Sequence, residues 1–296
     1  MNTPKRHHFV PQLLQENFVD ERGKFWVYDC RNSKKAPFQS TPINTLVQGQ
    51  LYSLVNCDGS TDASLEAELS RLESETKPII AKIVASTRAD EMPGLTSQER
   101  RTWDRFFLQQ WQRVPDQFER LRSPAHHREE TSRHLDFYSS VARAVTEDER
   151  RMFLDPAQLE RSRQNLRVTS LREEAEDQNI LAVMATRGLA FAKVPPHSSL
   201  ILSSNPVMKL TGEGVTHLRD DRVKVWLPIA FDVLVGMGCR GVAEIGGFAS
   251  EEYVTFLNTT QARQSSQIVS GTRTLVETFA PIVGSKLLDA EPLFET

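Results

Sequence analysis

The stretch TSQERRTWDRFFLQQWQRVP, residues 96–115, carries one complete helix with both of its ends. Thr96 and Glu99 stand at capping-box spacing, where hydroxyl and carboxylate each accept one of the first free backbone amides. Trp103, Phe106, Phe107, Gln110, Trp111 and Val114 then recur at steps of 3, 1, 3, 1 and 3, which is one face of an α-helix. Pro115 cannot continue the helix. Gln110 is a primary amide among aromatic rings, and Arg113 lies one turn further on near the same side. The face that builds the core therefore also carries polar groups that need partners.

Upstream, Leu65, Leu69, Leu72, Ile79, Ile80 and Ile83 predict a second helix. Asp62 is its expected N-cap, and Pro78 is expected to kink or split it. Glu66 and Glu73 are seven residues apart and lie beside the leucine seam. Further upstream, the alternating run at 23–30 predicts a strand leaving a glycine turn, and residues 50–55 a second strand closed by a turn at 56–59. Residues 120–180 read as helical pieces, with breaks at His126-His127, Asp155-Pro156 and Thr169-Ser170. Ile180, Leu181, Val183 and Met184 suggest a helix reaching Gly188. Beyond Pro195-Pro196 the pattern predicts strands at 199–203, 223–227 and 231–235, the last two joined around Pro228. A final helix opens at Ser250 and contains Phe256, Leu257, Gln261, Ile268 and Val269. The fold class is α+β, a helix-rich centre with strands near the N-terminus and in the C-terminal third. We expect one domain over 1–296, with a weak subdivision signal near 123–130.

Apolar residues make up 39% of the 296 positions and charged ones 25%, ordinary for a globular chain with a full core. The net charge of -3 supplies no global field toward nucleic acid or membrane. Cys30, Cys57 and Cys239 are widely spaced, which argues against a disulfide framework or thiolate zinc site and for a reducing, cytoplasmic setting. No apolar run has the length of a signal peptide or a membrane span, so no membrane role is expected. There is no Walker loop, dinucleotide glycine fingerprint, HExxH or GxSxG.

The candidate functional residues begin with His7-His8, beside Lys5-Arg6 and before Pro11-Gln12. Imidazole suits metal ligation and proton transfer near neutral pH. Adjacent residues of an extended segment point to opposite sides, so one histidine faces a site and the other packs or caps. Glu66 and Glu73 offer hard oxygen ligands or a general base; the competing reading is a solvated flank, as expected for Glu68 and Glu75. Arg113 offers a fork for phosphate or carboxylate, with Gln110 orienting water or a base. A buried network that fixes helix packing is the alternative for both. Asn205, in Ser204-Asn205-Pro206 at a strand end, binds substrate or makes an Asx turn. Asn258 and Gln261 complete a polar pocket or sit on the surface. His126, His127, His134, His197 and His217 read as surface residues, and Arg161, Arg163, Arg167 and Arg172 as a solvated basic face or a phosphate contact.

In order along the chain, several motifs resemble the uncharacterised, largely bacterial family called domain of unknown function 4238. They are His7-His8-Phe-Val-Pro-Gln12 with Phe18, Gly23-Lys-Phe-Trp-Val-Tyr28, Tyr52, and Leu65-Glu66 with Leu72-Glu73. Phe107, Gln110 and Arg113-Val-Pro115 follow, then Ser203-Ser-Asn-Pro-Val207, Leu227-Pro228, Asn258 and Gln261. The resemblance implies an acidic residue before Asn205-Pro206, where this chain has Ser204, and a threonine where it has Val114. It implies no activity. The His-His-x-x-Pro string also resembles the opening of ββα-metal nucleases, without their later asparagine and helical histidine.

These residues lead to three expectations. The first is a divalent-metal-dependent phosphodiester hydrolase, nuclease-like, acting on nucleic acid or a phosphate-containing small molecule. In it His7, His8, Gln110 and Arg113 are catalytic, and Gln12, Asn205 and Gln261 bind substrate. His8, Glu66 and Glu73 hold magnesium or manganese. The second is a non-enzymatic ligand-sensing or protein-interaction module using the same residues. In the third, the histidines and Gln110 tie the N-terminal strand to the aromatic helix. Convergence of a histidine, a glutamate of the 66–73 helix and Arg113 on one cleft separates the first from a scattered arrangement.

Overall fold

The computed structural model describes residues 6–286 apart from 33, 35, 57, 175–177, 212–214 and 216. The chain opens with β1 (Arg6–His8), α1 (Gln12–Gln15), β2 (Phe25–Asp29), β3 (Phe38–Ser40), β4 (Val47–Gly49) and a short pair, β5 (Leu54–Val55) and β6 (Thr61–Asp62). The centre is helical: α2 (Ser64–Arg88), α3 (Ser97–Gln112), α4 (Pro115–Leu121), α5 (Pro124–Val141), α6 (Glu147–Phe153), α7 (Pro156–Glu174) and α8 (Gln178–Thr186). Then follow β7 (Arg187–Lys193), β8 (Leu202–Ser203), β9 (Met208–Leu210), β10 (Lys224–Ala230), β11 (Val233–Arg240), β12 (Glu244–Phe248), α9 (Glu251–Arg263), β13 (Gln267–Ser270) and α10 (Arg273–Phe279). This is the expected α+β arrangement. No helix among the described residues is long and apolar enough to cross a membrane. Cys30 and Cys239 are free thiols, and Cys57 lies outside the described residues, as do residues 1–5 of the N-terminal stretch.

A five-stranded sheet runs β12-β7-β11-β10-β9, antiparallel except where β12 meets β7. A four-stranded sheet, β3-β2-β13-β8, joins the two ends of the chain, with Ser270 opposite Trp26. β1 pairs with β4, which sets His7 opposite Gln48. The main core runs from Phe9 and Val10 through the α2 seam and α3 to the strands of the five-stranded sheet.

The capping box of α3 forms as expected, Thr96 and Glu99 exchanging bonds of 3.2 and 2.7 Å. The sequence suggests a single apolar face, but every residue from Phe106 to Gln117 is buried. α3 is thus a core helix, with α2 on one side and α8 on another, and its polar residues must find partners inside. Arg100 does so by pairing with Asp104 at 2.9 Å while donating to the Met184 and Arg187 carbonyls, which satisfies the end of α8.

Several local expectations are corrected. Asp62 is not the N-cap of α2; that position is Ala63, and Asp62 instead accepts the Ser64 amide at 2.8 Å. Pro78 neither ends nor splits α2. The buried Ile79, Ile80 and Ile83 continue the leucine seam, and at about 1.5–3 kcal/mol per side chain they outweigh the ~3 kcal/mol cost of a mid-helix proline. The strand expected over 50–55 shrinks to β5, with Tyr52 in a turn. His126-His127 and Thr169-Ser170 lie inside α5 and α7; only the break at Asp155-Pro156 exists. Gly188 belongs to β7, where a Cβ would meet the Val242 carbonyl oxygen at 1.7 Å. The 199–203 strand keeps only Leu202–Ser203, and Pro228 lies within β10, the turn falling at Phe231-Asp232. Ile268 and Val269 sit in β13, not in the last helix, because α9 stops at Arg263 and two buried serines follow.

Those serines belong to a clasp between α4 and the sheet. Buried Asp116 accepts the Ser266 amide at 3.0 Å, the Ser266 hydroxyl at 2.8 Å and the Ser204 hydroxyl. The carboxylate at Ser204 thus comes from α4, not from the strand turn itself. Asp116→Ala leaves three buried donors without an acceptor and is expected to cost about 3 kcal/mol. A urea-unfolding free energy lowered by less than about 1 kcal/mol, at unchanged m-value, would show the clasp to be dispensable.

Candidate functional site

The site is assembled by four segments. β1 alternates as expected: His7 is fully buried, while His8 is half-buried on the opposite side. The His7 ring stacks on Tyr52, with centroids 5.5 Å apart and planes 9° apart, and its Nδ1 accepts the Tyr52 amide at 2.9 Å. The neutral ring therefore carries its proton on Nε2. α7 holds the Tyr52 turn in place. Gln164 donates to the Gln50 and Leu51 carbonyls at 2.9 and 2.8 Å, and Asn165 bonds both the amide and the carbonyl of Val55.

α2 brings Glu66 and Glu73 to the same place. The Glu66 carboxylate lies 4.0 Å from His7 Nδ1, and Glu73 accepts Arg113 Nη1 at 2.7 Å. Because Nδ1 already accepts the Tyr52 amide, the approach of Glu66 to it is not a hydrogen-bonded ion pair. Arg113 Nε donates to the Phe9 carbonyl at 3.1 Å and Nη2 to Gln110 Oε1 at 2.9 Å, while Gln110 Nε2 donates to Phe9 at 3.1 Å. The Tyr52 hydroxyl donates to the Arg113 carbonyl at 3.3 Å. His7, Tyr52, Gln110 and Arg113 form a closed floor. Glu66 and Glu73, 20% and 25% exposed, form the rim that solvent reaches.

Burial, then the neighbouring Glu73 carboxylate, push Glu66 up to about 7 against the opposing pull of Arg113. Burial raises the Tyr52 phenol far above its ordinary range, so it stays a neutral hydroxyl. Burial also holds His8 below its ordinary value, although the Pro42 carbonyl and Glu73 pull it upward.

The structure thus brings His7, Glu66, Glu73, Gln110 and Arg113 together. His8 is turned away, its Nε2 3.1 Å from the Pro42 carbonyl oxygen. Gln12 stands half-exposed at the start of α1; the buried amide there is Gln15, which donates to the Val10 and Thr45 carbonyls. Asn205 and Gln261 lie in the serine-rich region beside Asp116. Gln261 binds the Ile201 carbonyl and the Ser203 hydroxyl, and Asn205 accepts from and donates to Gln264. Asn258 and Gln261, for which a surface place is the common outcome, are buried and tie α9 to the β8 segment. His127, expected at the surface, is buried with Nε2 2.7 Å from Ser162 Oγ.

The expected metal ligands do not fit a divalent ion. His8 addresses a carbonyl, and the Arg113 guanidinium sits directly on Glu73. Among the described residues no three His, Cys, Asp or Glu side chains gather as a metal cage. Tyr52 and Gln15 are polar residues here that side-chain chemistry alone did not single out for the site. Tyr52 appeared only as a landmark of the family resemblance.

No curated protein and no solved structure matches the chain. Residues 6–274 match the family model described as protein of unknown function (DUF4238), a span that includes every residue of the site. The chain therefore belongs to the DUF4238 family.

Proposed function

We propose that this protein is a hydrolase of phosphate-containing substrates, nuclease-like, with Glu66 as its general base. The observation that carries the reading is a solvent-reachable carboxylate 4.0 Å from a buried imidazole and on the same helix as Glu73 of the Glu73–Arg113 pair, where burial pushes it up to about 7. A base poised near the working pH combines adequate basicity with a deprotonated population. In this reading Glu66 takes the proton of the attacking water. Glu73 holds Arg113, and Gln110 fixes the guanidinium against Phe9, so Gln110 positions rather than touches substrate. His7 orders the Tyr52 turn. No step is assigned to a metal, because the ligand set does not fit one.

The raised value has a consequence for stability. The native state holds the Glu66 proton more tightly than the unfolded chain, whose value is near 4.5. Its contribution is fully present below about 4.5 and is lost as pH rises to about 7. Glu66→Gln is therefore expected to match wild type in melting temperature at pH 4 and to exceed it at pH 8. Equal melting temperatures at both pH values would remove the shifted carboxylate.

Turnover tests the reading itself. With bis-p-nitrophenyl phosphate, nucleotides and short oligonucleotides as substrates, activity should rise with pH through about 7. Glu66→Gln should lower kcat by roughly 100-fold or more and abolish that limb. Activity that appears only with added magnesium or manganese, and vanishes in Glu73→Gln, would instead establish the metal-dependent mechanism. Saturable binding without turnover, unchanged in Glu66→Gln, would identify a ligand-sensing module.

A further inference from the structure

β12 forms one edge of the five-stranded sheet, and among the described residues it is the longest strand at any sheet edge. Its five residues compare with three in β9 and β3 and two in β8. Sheet edges are usually guarded by lysine, proline, a bulge or a covering loop. β12 contains neither lysine nor proline, and its ladder with β7 runs without a bulge. Residues 245–248 are all exposed, Ile245 at 45% and Phe248 at 73%. The only acid of the strand, Glu244, turns its carboxylate onto the neighbouring loop, where it accepts the Gly94 and Leu95 amides at 2.8 Å each. That charge is held against the loop and does not guard the edge.

The parallel ladder fixes which backbone groups point outward. The Leu189 amide donates to the Ala243 carbonyl and the Ala249 amide to the Lys193 carbonyl, both at 2.9 Å. Between them Ile245 stands opposite Ala190 and Gly247 opposite Ala192. Ala243, Ile245, Gly247 and Ala249 therefore turn their backbone groups toward β7. Glu244, Gly246 and Phe248 turn theirs outward, where no strand receives them among the described residues. This outward set is symmetric about Gly246. The two glycines differ in what surrounds them. At Gly246 a Cβ would lie 2.5 Å from the terminal methyl of Met92, which already covers that face. At Gly247 a Cβ would meet nothing within 4 Å, and the residue has no positive φ. Glycine weakens a strand interior, and one without a local steric reason marks a place where another backbone comes close.

We propose that β12 pairs with β12 of a second copy of this chain, antiparallel and centred on Gly246, so that a two-fold homodimer carries one continuous sheet. In that register Gly246 faces Gly246 and Glu244 faces Phe248, and every outward amide meets an outward carbonyl. Ile245 of each copy stands over Gly247 of the other and fills the open space there. On the opposite face Phe248 and Met92, the latter 51% exposed, gather from both copies around the central glycines. Charge favours the antiparallel order. β12 leads into the exposed Glu251 and Glu252, and it follows Arg240, which stays 56% exposed beside Asp221 at 3.5 Å. An antiparallel copy sets the acidic end of one strand at the arginine end of the other, whereas a parallel copy in register sets like charges together. The proposal does not depend on the hydrolase reading.

The test measures the mass of the full chain by sedimentation equilibrium across a dilution series, with amide hydrogen exchange as a second readout. Wild type is expected to be dimeric when concentrated and to dissociate on dilution. The Gly246 and Phe248 amides should exchange more slowly in the dimer than in the monomer. Ile245→Lys places a charge against Gly247 of the second copy, and Phe248→Pro deletes an outward donor while leaving the β7 ladder intact. Each should weaken dimerisation by roughly tenfold or more, with an unchanged far-UV circular dichroism spectrum, because both side chains are exposed. Phe137→Lys, on α5 and 66% exposed, should leave the dimer as it is. A wild-type monomer at every concentration overturns the proposal, whether the edge then stays open, takes an extended segment of another protein or takes another segment of this chain. A dimer undiminished by Ile245→Lys and Phe248→Pro, or one dissolved by Phe137→Lys, overturns it as well by placing the interface elsewhere.

Discussion

A guanidinium with 2% of its side chain exposed is costly to bury unless its charge and its donors are matched, and Arg113 meets that condition by drawing partners from across the molecule. Its partners come from three places: Glu73 on α2, Gln110 on its own helix, and the Phe9 carbonyl just after β1. Its own carbonyl receives Tyr52. The N-terminal segment, both central helices and the Tyr52 turn are therefore fixed relative to one another by one charge. Apolar burial supplies most of the stability of such a core but is indifferent to small sliding motions. The directional bonds around Arg113 set the register, and hence the place where Glu66 meets His7.

This arrangement also separates two kinds of polar residue. Gln110, Gln15 and Gln164 each serve backbone carbonyls. They hold irregular segments that no sheet or helix ladder satisfies. Glu66 is different, since it remains reachable by solvent while burial, and after it the Glu73 carboxylate, raise its value. Packing residues and chemically available residues therefore sit side by side, and only the second kind can meet a substrate.

Much of this was legible in the sequence because it follows from period and chemistry. The α3 face, its capping box, the leucine seam of α2 and the placing of His7 and His8 on opposite sides all follow from spacing. Glu66, Glu73, Gln110 and Arg113 were visible as polar residues on or beside apolar stripes. What escaped was long-range. Ile268 and Val269 match a helical period by coincidence, and only pairing with Tyr28 and Val27 makes them a strand. Asn258 and Gln261 resemble surface amides until the Ile201 backbone is brought against them. Arg167, buried within the run that reads as a solvated basic face, did leave a local trace: it lies on the Leu159–Leu171 stripe and has no acid three or four residues away. Charge composition read across the whole segment hid that position.

The four-stranded sheet places β13 between β2 and β8, so a strand from the chain's beginning is completed by one from near its end. At about 5–20 residues per second, ribosomal synthesis leaves β2 waiting roughly 10–50 s for that neighbour. During this interval one edge of β2 has only its local partner β3 on the other side, and the Trp26 and Tyr28 backbone there is open to wrong pairing. Completion of the sheet is a long-range pairing with high contact order, and so intrinsically slow. The timetable of folding is thereby governed by the C-terminal segment, far along the chain from the residues that build the site.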